Sequence, residues 1–475
     1  MRLINLILTC FFFFTFFSVQ GQNLKHVQTT ANTRWVWQAD KKFSKHESGD
    51  LSILKIDPEK TFQTIDGFGA AFSELGWKAL GYLPGDEQKK VMKAVFDTLN
   101  GCKFTICRIP IGANDFAKDY YSHNDNFFDY EMNDFNIERD KQNLIPYIKL
   151  AMEHNPDLKI WASPWTPPIW MKKNRHYGGR ATNDTWGPLY GDNMKEVYKN
   201  NRIVDDEKTF TAYADYFVKF IEAYREEGIN LYAIQPQNEV FANQLFPSCV
   251  WEAGTLADFM ANYLMPAVEA NSPETEIWLG TMNNDSIEYI DEIFELRPEI
   301  RNVTGFGVQW AGIDMMDDLD REYPTYKIMQ TESECNNGLN NWFTAEHTFG
   351  LLHQSFTNGA NSYMYWNLIL DEMGLSTWMW RQNSMITIDK FTREVRYNPE
   401  FFVMKHFSHF IQPGAKRIAT EGKIGLNLAF QNPDGSTVLI IGNSTEEKLE
   451  TTILYENKFC DVEIESHSVS TFVIE

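Results

Sequence analysis

The chain is short of positive charge. Its 475 residues carry 43 Lys and Arg against 65 Asp and Glu, a net charge of −22. Such a balance repels phosphate backbones and anionic headgroups, which disfavours nucleic acid and anionic membrane surfaces as partners. Cysteine is also scarce, and Cys10 lies in the N-terminal apolar stretch. The remaining Cys102, Cys107, Cys249, Cys335 and Cys460 are odd in number and lack the close spacing of metal ligands. A disulfide scaffold and a zinc knuckle are therefore excluded. Cys249 and Cys335, which each follow a strand of interest, are the pair placed to approach one another. No internal repeat occurs, and no run beyond residue 19 is long and apolar enough to span a membrane.

What is present is apolar and aromatic: 43% hydrophobic and 15% aromatic residues, including 14 Trp, 20 Tyr and 35 Phe. That content suits a globular fold with a large core. The N-terminus, MRLINLILTCFFFFTFFSVQGQ, has a minimal basic start at Arg2, an apolar run over 3–19, and small residues at Val19 and Gly21. It reads as a cleavable signal peptide, residues 1–21, and implies a secreted or periplasmic protein; the alternative is an uncleaved anchor helix.

Eight strand-like runs follow, at 64–69, 103–111, 159–163, 231–237, 275–281, 303–310, 326–332 and 360–366. Between them, Asp86–Leu99, Ile137–Glu153, Glu207–Glu227, Leu256–Ala270 and Thr344–Thr357 show helical apolar spacing. Asp86 and Ser286 are plausible helix starts. Strand–helix alternation repeated eight times predicts an α/β fold, a (β/α)8 TIM barrel, over 62–412. After residue 412 the texture changes to alternating strands and turns such as Asn432-Pro433-Asp434-Gly435, and residues 34–57 resemble it. The reading is a side β-sandwich domain built from both chain ends, 22–61 and 413–475. An insertion at 172–205 is either a surface loop or a wall of the cleft.

Two of the runs end in a carboxylate: Leu231–Glu239 (LYAIQPQNE) and Tyr326–Glu332 (YKIMQTE). An acid at the edge of a core is costly without a task there. Two such ends at one barrel rim suit glycoside cleavage, in which one carboxylic acid protonates the leaving oxygen and a second carboxylate works at the anomeric carbon. Asn238 beside Glu239 is placed to bond a sugar hydroxyl. Arg108 is either a cation near the rim, keeping the nucleophile ionised and counted among the substrate contacts, or a structural ion pair below it. Glu334 and Asp371 are the competing acids.

Seven segments, in order, resemble glycoside hydrolase family 30, which includes lysosomal glucosylceramidase and microbial β-1,6-glucanases. They are FQTIDGFGAAFSE (62–74), CRIPIGANDF (107–116), ASPWTPPIWMK (162–172), IQPQNE (234–239), QTESECNNG (330–338), YWNLILD (365–371) and EFFVMKHFSHFIQPGAKRI (400–418). The resemblance implies a retaining β-glycosidase with Glu239 as acid/base and Glu332 as nucleophile. It implies sugar contacts from Asp115, Trp165 and Asn238, and from Trp366 as the floor of the subsite. Two departures stand out: Val240 where proline is common, and Gln309-Trp310 where glucosylceramidases have His-Trp. The second, taken with Trp378, Trp380 and the long third loop, points to an endo-β-1,6-glucanase, with Gln309 and Trp310 as substrate contacts. Glucosylceramidase, β-xylosidase and β-1,6-galactanase activities, or a non-catalytic carbohydrate-binding relative, are the alternatives. The expected partner is an oligo- or polysaccharide, a β-glucan, acted on by a monomer without metal or organic cofactor and without stable membrane insertion.

Overall fold

The computed structural model describes residues 22–46, 51–179 and 200–475. The expected signal peptide and the middle of the 172–205 insertion lie outside them. The barrel strands are Gly67–Ala71, Ile106–Ile111, Lys159–Pro164, Leu231–Ile234, a fifth in two pieces (Glu276–Ile277 and Leu279–Met282), Gly305–Gln309, Lys327–Glu332 and Ser362–Asn367. They pair in parallel in chain order, and the nine-stranded sheet comes nearly closed at the split fifth strand.

The strands read as apolar runs because both faces are covered: all six residues of ICRIPI and of SYMYWN are buried. The period-two alternation then layers the interior. A lower layer of Ile106, Trp161, Trp278, Met329 and Met364 forms an apolar plug. Two residues further along the same inward faces come Arg108, Ser163 and Trp366, so a polar and aromatic layer sits on the plug. Gly307 permits this crowding: a Cβ there would lie 1.9 Å from Oε1 of Gln235.

Helices jacket the barrel. In Glu207–Glu226 the Asp206 side chain accepts the Thr209 N–H, and Phe210, Tyr213, Phe217, Phe220 and Tyr224 form the buried stripe. Each such side chain contributes about 1.5–3 kcal/mol on full burial. Besides the split fifth strand, three expected elements differ. The 231–237 strand stops at Ile234, so Glu239 is not strand-terminal. The 137–153 helix breaks at Asn143, whose side chain donates to the Arg139 carbonyl. The 256–270 helix becomes Ala253–Phe259, a wide turn Met260–Leu264, and Met265–Asn271; Pro266, at the start of the last piece, has no N–H to continue the ladder.

Both chain ends build the second unit, a mixed, curled sheet. Asn23–Thr30 pairs antiparallel with Ser468–Ile474, and Ile53–Thr64 lies parallel to Leu449–Tyr455. Leu54, Ile56, Leu439, Ile453 and Phe472 are among its core. Helix Pro399–Ser408 docks it to the barrel, with the buried His406 ring between the hydroxyls of Thr29 and Thr471. Cys249 and Cys335 do not pair: both are free and buried, the latter thiol directed to the Ser333 carbonyl. Among the described residues no helix is long and apolar enough to cross a membrane.

Candidate active site

Glu332 is the last residue of the seventh strand. Met329 points into the barrel, so strict alternation would direct Thr331 inward and Glu332 away. A bulge corrects this: Val308 pairs with Gln330 but Gln309 pairs with Glu332. The extra residue re-aims Glu332 to the interior beside Gln309. The carboxylate there is surrounded by donors. Arg108 Nη1 donates to Oε2 at 2.7 Å, Gln309 Nε2 to the same oxygen at 3.1 Å, and Trp310 Nε1 to Oε1 at 2.9 Å.

Glu239 reaches the same place by a turn. Beyond Ile234 the chain bends, and Glu239 adopts φ 51°, a left-handed conformation that costs a non-glycine residue of order 1–3 kcal/mol. The fifth strand holds it there: the Glu239 N–H donates to Thr281 Oγ1 at 2.9 Å, and the Val240 N–H to the Thr281 carbonyl at 3.3 Å. Trp310, which lines the same cavity, is likewise left-handed at φ 50°.

The two acids line one cavity of about 910 Å³ together with Asp115, Trp165, Asn238 and Trp310. Leu245, Phe246, Trp378, Met379 and Trp380 form its outer wall. A second groove, of about 840 Å³, opens beside Trp251, but its Glu252 and Asp258 are paired with Arg202 and Arg297. The convergent acids are in the first.

The electrostatics separate the carboxyls. Burial, and then the Glu332 charge, push the Glu239 pKa up to about 8. Burial raises Glu332 as well, but Arg108, Trp310 and Gln309 all oppose it, so Glu332 is the better-supported anion. Asp115 is driven well above the ordinary carboxylate range by burial and by Glu332.

Arg108 and Gln309, expected as substrate contacts, are fully buried beneath the cavity. Arg108 lies over Trp165 and Trp161, at 4.4 and 4.8 Å to the ring centroids, and its Nη2 donates to Asn238 Oδ1 at 2.7 Å and Ser163 Oγ at 2.9 Å. It lies below the cavity as the ion-pair partner of Glu332 and supports that carboxylate from there. Trp366, the expected floor, is only 1% exposed and does not line the cavity; it stacks behind Trp165 at 5.6 Å. Asp115, Trp165, Asn238 and Trp310 do line it. Glu334 bonds His347 instead, and Asp371 borders a different hollow.

Sequence reasoning missed the fifth-strand support, Thr281 and Asn283; the polar run after an apolar strand, TMNN, was its signal. It also missed Tyr120. This ring stacks on Tyr177 at 5.2 Å and meets Trp378 at 5.0 Å, and its hydroxyl donates to the Leu245 carbonyl. It thereby ties the third, fourth and eighth loops together at the mouth. Through Tyr177 the described start of the 172–205 insertion packs behind the cavity's outer wall, one ring removed from Trp378.

Comparison with known proteins agrees with this architecture. Residues 65–411 match the glycosyl hydrolase family 30 TIM-barrel domain and residues 414–472 the glycosyl hydrolase family 30 beta sandwich domain. Putative glucosylceramidase 1 of Caenorhabditis elegans is 31% identical over 415 residues, 82% of this chain and 76% of that protein. Endo-1,6-beta-D-glucanase BGN16.3 of Trichoderma harzianum is 25% identical, over 80% of this chain and 78% of its own. The crystal structure of SrfJ from Salmonella typhimurium superposes with a TM-score of 0.83 at 22% identity, covering 95% of this chain and 99% of that one.

Proposed function

The chain belongs to glycosyl hydrolase family 30 and is a β-glycoside hydrolase, and from that premise we propose that it is a retaining β-glucosidase acting on a glucosyl group carried by an apolar aglycone, of the glucosylceramide kind. The observation that carries the reading is one cavity with Glu239 and Glu332 at its inner end and an apolar wall of Leu245, Phe246, Trp378, Met379 and Trp380 at its mouth. In the first step Glu332 attacks the anomeric carbon while Glu239 gives its proton to the departing glycosidic oxygen. In the second, Glu239 takes a proton from water, which displaces Glu332 and releases glucose with its configuration retained.

Expectation from sequence favoured β-1,6-glucan, in part because Gln309 replaces a histidine. Gln309 is fully buried beneath the cavity, which weakens that argument. Greater identity to a putative glucosylceramidase than to an endo-1,6-glucanase, 31% against 25%, supports the lipid glucoside. The glucan remains the second reading, favoured by the Tyr120–Trp378 aromatic pair, which suits stacking on a further sugar. The test is to incubate the protein with glucosylceramide in mixed micelles and, separately, with β-1,6-glucan. Glucose released from the first, with the β-anomer appearing first by NMR, is expected; reducing ends from the second alone would replace the first reading. No turnover of either, or of an aryl β-glucoside, refutes both. Export is part of the proposal, and processing just before Gln22 is its check.

A further inference from the structure

Lys172 is a buried lysine that the chemistry above does not use. It follows the buried turn Ile169–Met171 beyond the third strand and is only 1% exposed. Among the described residues no carboxylate pairs with it. Its Nζ donates instead to two backbone carbonyls, that of Ser248 at 2.7 Å and that of Tyr177 at 3.0 Å. An ammonium is costly to bury unless it is hydrogen-bonded, so these bonds are what hold it there. The carbonyls belong to different loops, Tyr177 to the start of the 172–205 insertion and Ser248 to the fourth loop. The Ser248 N–H donates to the same Tyr177 carbonyl at 3.0 Å, and Gly178 bridges to Pro247. The two loops meet too closely for a side chain: a Cβ on Gly178 would lie 2.5 Å from the Leu245 carbonyl oxygen and 2.6 Å from that of Phe246.

Ser248 closes the turn that carries part of the outer wall. Its hydroxyl accepts the Gln244 N–H at 3.0 Å and donates to the Gln244 carbonyl at 3.2 Å. Gln244, Leu245 and Phe246, held within that turn, line the cavity. We propose that Lys172 is a specificity-determining residue: by clamping Ser248 to Tyr177 it fixes the Leu245–Phe246 wall from behind, and so sets which length of apolar aglycone fits. The inference rests on the reading above. The wall stands at the cavity mouth and the two acids at its inner end, so a displaced wall alters the fit of the aglycone rather than the breaking of the bond. The clamp is a matter of geometry, not of charge. Burial lowers the Lys172 pKa to about 8, and ammonium and amine alike have a hydrogen for each carbonyl.

Ethyl and hexyl β-glucosides test this, because they differ in apolar length and not in the chemistry of the leaving oxygen. The parent is expected to favour the hexyl glucoside by about tenfold or more in kcat/KM, as the added methylenes meet the apolar wall. Lys172→Met keeps the apolar stem and removes the donors. The preference is then expected to fall to about threefold or less, through a raised KM for the hexyl glucoside, while kcat/KM for the ethyl glucoside stays within about threefold of the parent. General damage to the fold would lower both substrates alike and leave the ratio in place. Lys172→Gln keeps a polar head for one carbonyl but loses the bridge, so its ratio moves the same way; it decides the matter if the Met variant does not fold. A ratio that stays at the parent value in a folded variant overturns the role of Lys172 alone. A parent enzyme that cleaves neither glucoside, or prefers neither, overturns the apolar-aglycone reading and the clamp with it.

Discussion

Arg108→Met separates charge from shape at the centre of the site. The guanidinium is fully buried, bonds Glu332 at 2.7 Å, and fits among Trp165, Trp161 and Trp366. Methionine fills much of that slot without the charge. Glu332 keeps Gln309 and Trp310 as donors and loses its cation. A charge-assisted bond is worth about 1.5–3 kcal/mol net, which corresponds to a fall of roughly 10- to 150-fold in kcat/KM near neutrality. The acid limb moves up by about one pH unit or more, because a neighbouring cation no longer favours the carboxylate. Stability follows the same sign. The folded-state pKa of Glu332 is raised above its unfolded value and rises further in the variant, so the stabilising contribution is present at low pH and lost as pH rises. The variant is expected near the parent in melting temperature at pH 5 and clearly below it at pH 8, where leaving a buried acid unpaired costs about 3–5 kcal/mol. Arg108→Lys restores a charge but not the fork that also holds Asn238 and Ser163. It should return the acid limb toward its original position while kcat stays low. Initial rates on an aryl β-glucoside from pH 4 to 9 with parallel melting curves suffice. An Arg108→Met enzyme within about threefold of the parent, with the acid limb unmoved, would show that Glu332 does not depend on this cation.

Glu239, whose pKa stands at about 8 against an ordinary 4.5, stabilises the fold only while protonated, and that contribution is lost between those values. Glu239→Gln is therefore expected to melt above the parent at pH 8 and close to it at pH 5; equal differences at the two pH values would contradict the raised pKa. Tyr120→Ala removes the ring that ties three loops at the mouth, and should raise KM about tenfold with kcat within about threefold; a loss confined to kcat would place Tyr120's influence at the reacting bond instead. Glu334→Ala, which removes the partner of His347 outside the cavity, should leave the pH profile in place, and a displaced limb would reopen the choice of acids.

The eightfold alternation was legible because a parallel strand is covered on both faces and reads as an unbroken apolar run. Boundaries were less so where tertiary contacts decide them. In the run LYAIQPQNE, Pro236 is the one sign that the strand ends near Ile234, and nothing in it shows that Thr281, far along the chain, holds Glu239 in a left-handed turn. The split of the fifth strand at Trp278 and the three-residue strands Ile369–Asp371, Ile386–Ile388 and Val395–Tyr397 are too short to carry any period. At the site, Glu239, Glu332, Asp115, Trp165 and Asn238 were found as side chains that meet in one cavity. Which polar residues face that cavity and which lie beneath it was not legible: Gln309 and Arg108 occupy strand positions no different in pattern from exposed ones, and only the bulge opposite Gln309 and the three indoles around Arg108 bury them.

The division of labour between the acids follows from a shortage of positive charge. Asp115, Glu239 and Glu332 all interact with one buried cation, Arg108. Three carboxylates and one guanidinium in a poorly solvated space cannot all be ionised without leaving two uncompensated charges, so the cluster retains protons near neutral pH. Arg108, Trp310 and Gln309 converge on Glu332, which takes the charge, and the proton is left to groups with weaker support. Glu239 is one of them, and it is at the cavity wall, where a departing oxygen can collect that proton. The acidic surface acts in the same direction: a net charge of −22 makes removal of a proton from the site harder at low ionic strength. Because that long-range part is screened by salt and the buried contacts are not, the basic limb of the pH profile should move down modestly between low salt and about 1 M salt while the acid limb, governed by the direct bonds to Glu332, moves less. Equal displacement of both limbs would mean that the surface field, rather than the arrangement of donors, sets the order in which these acids titrate.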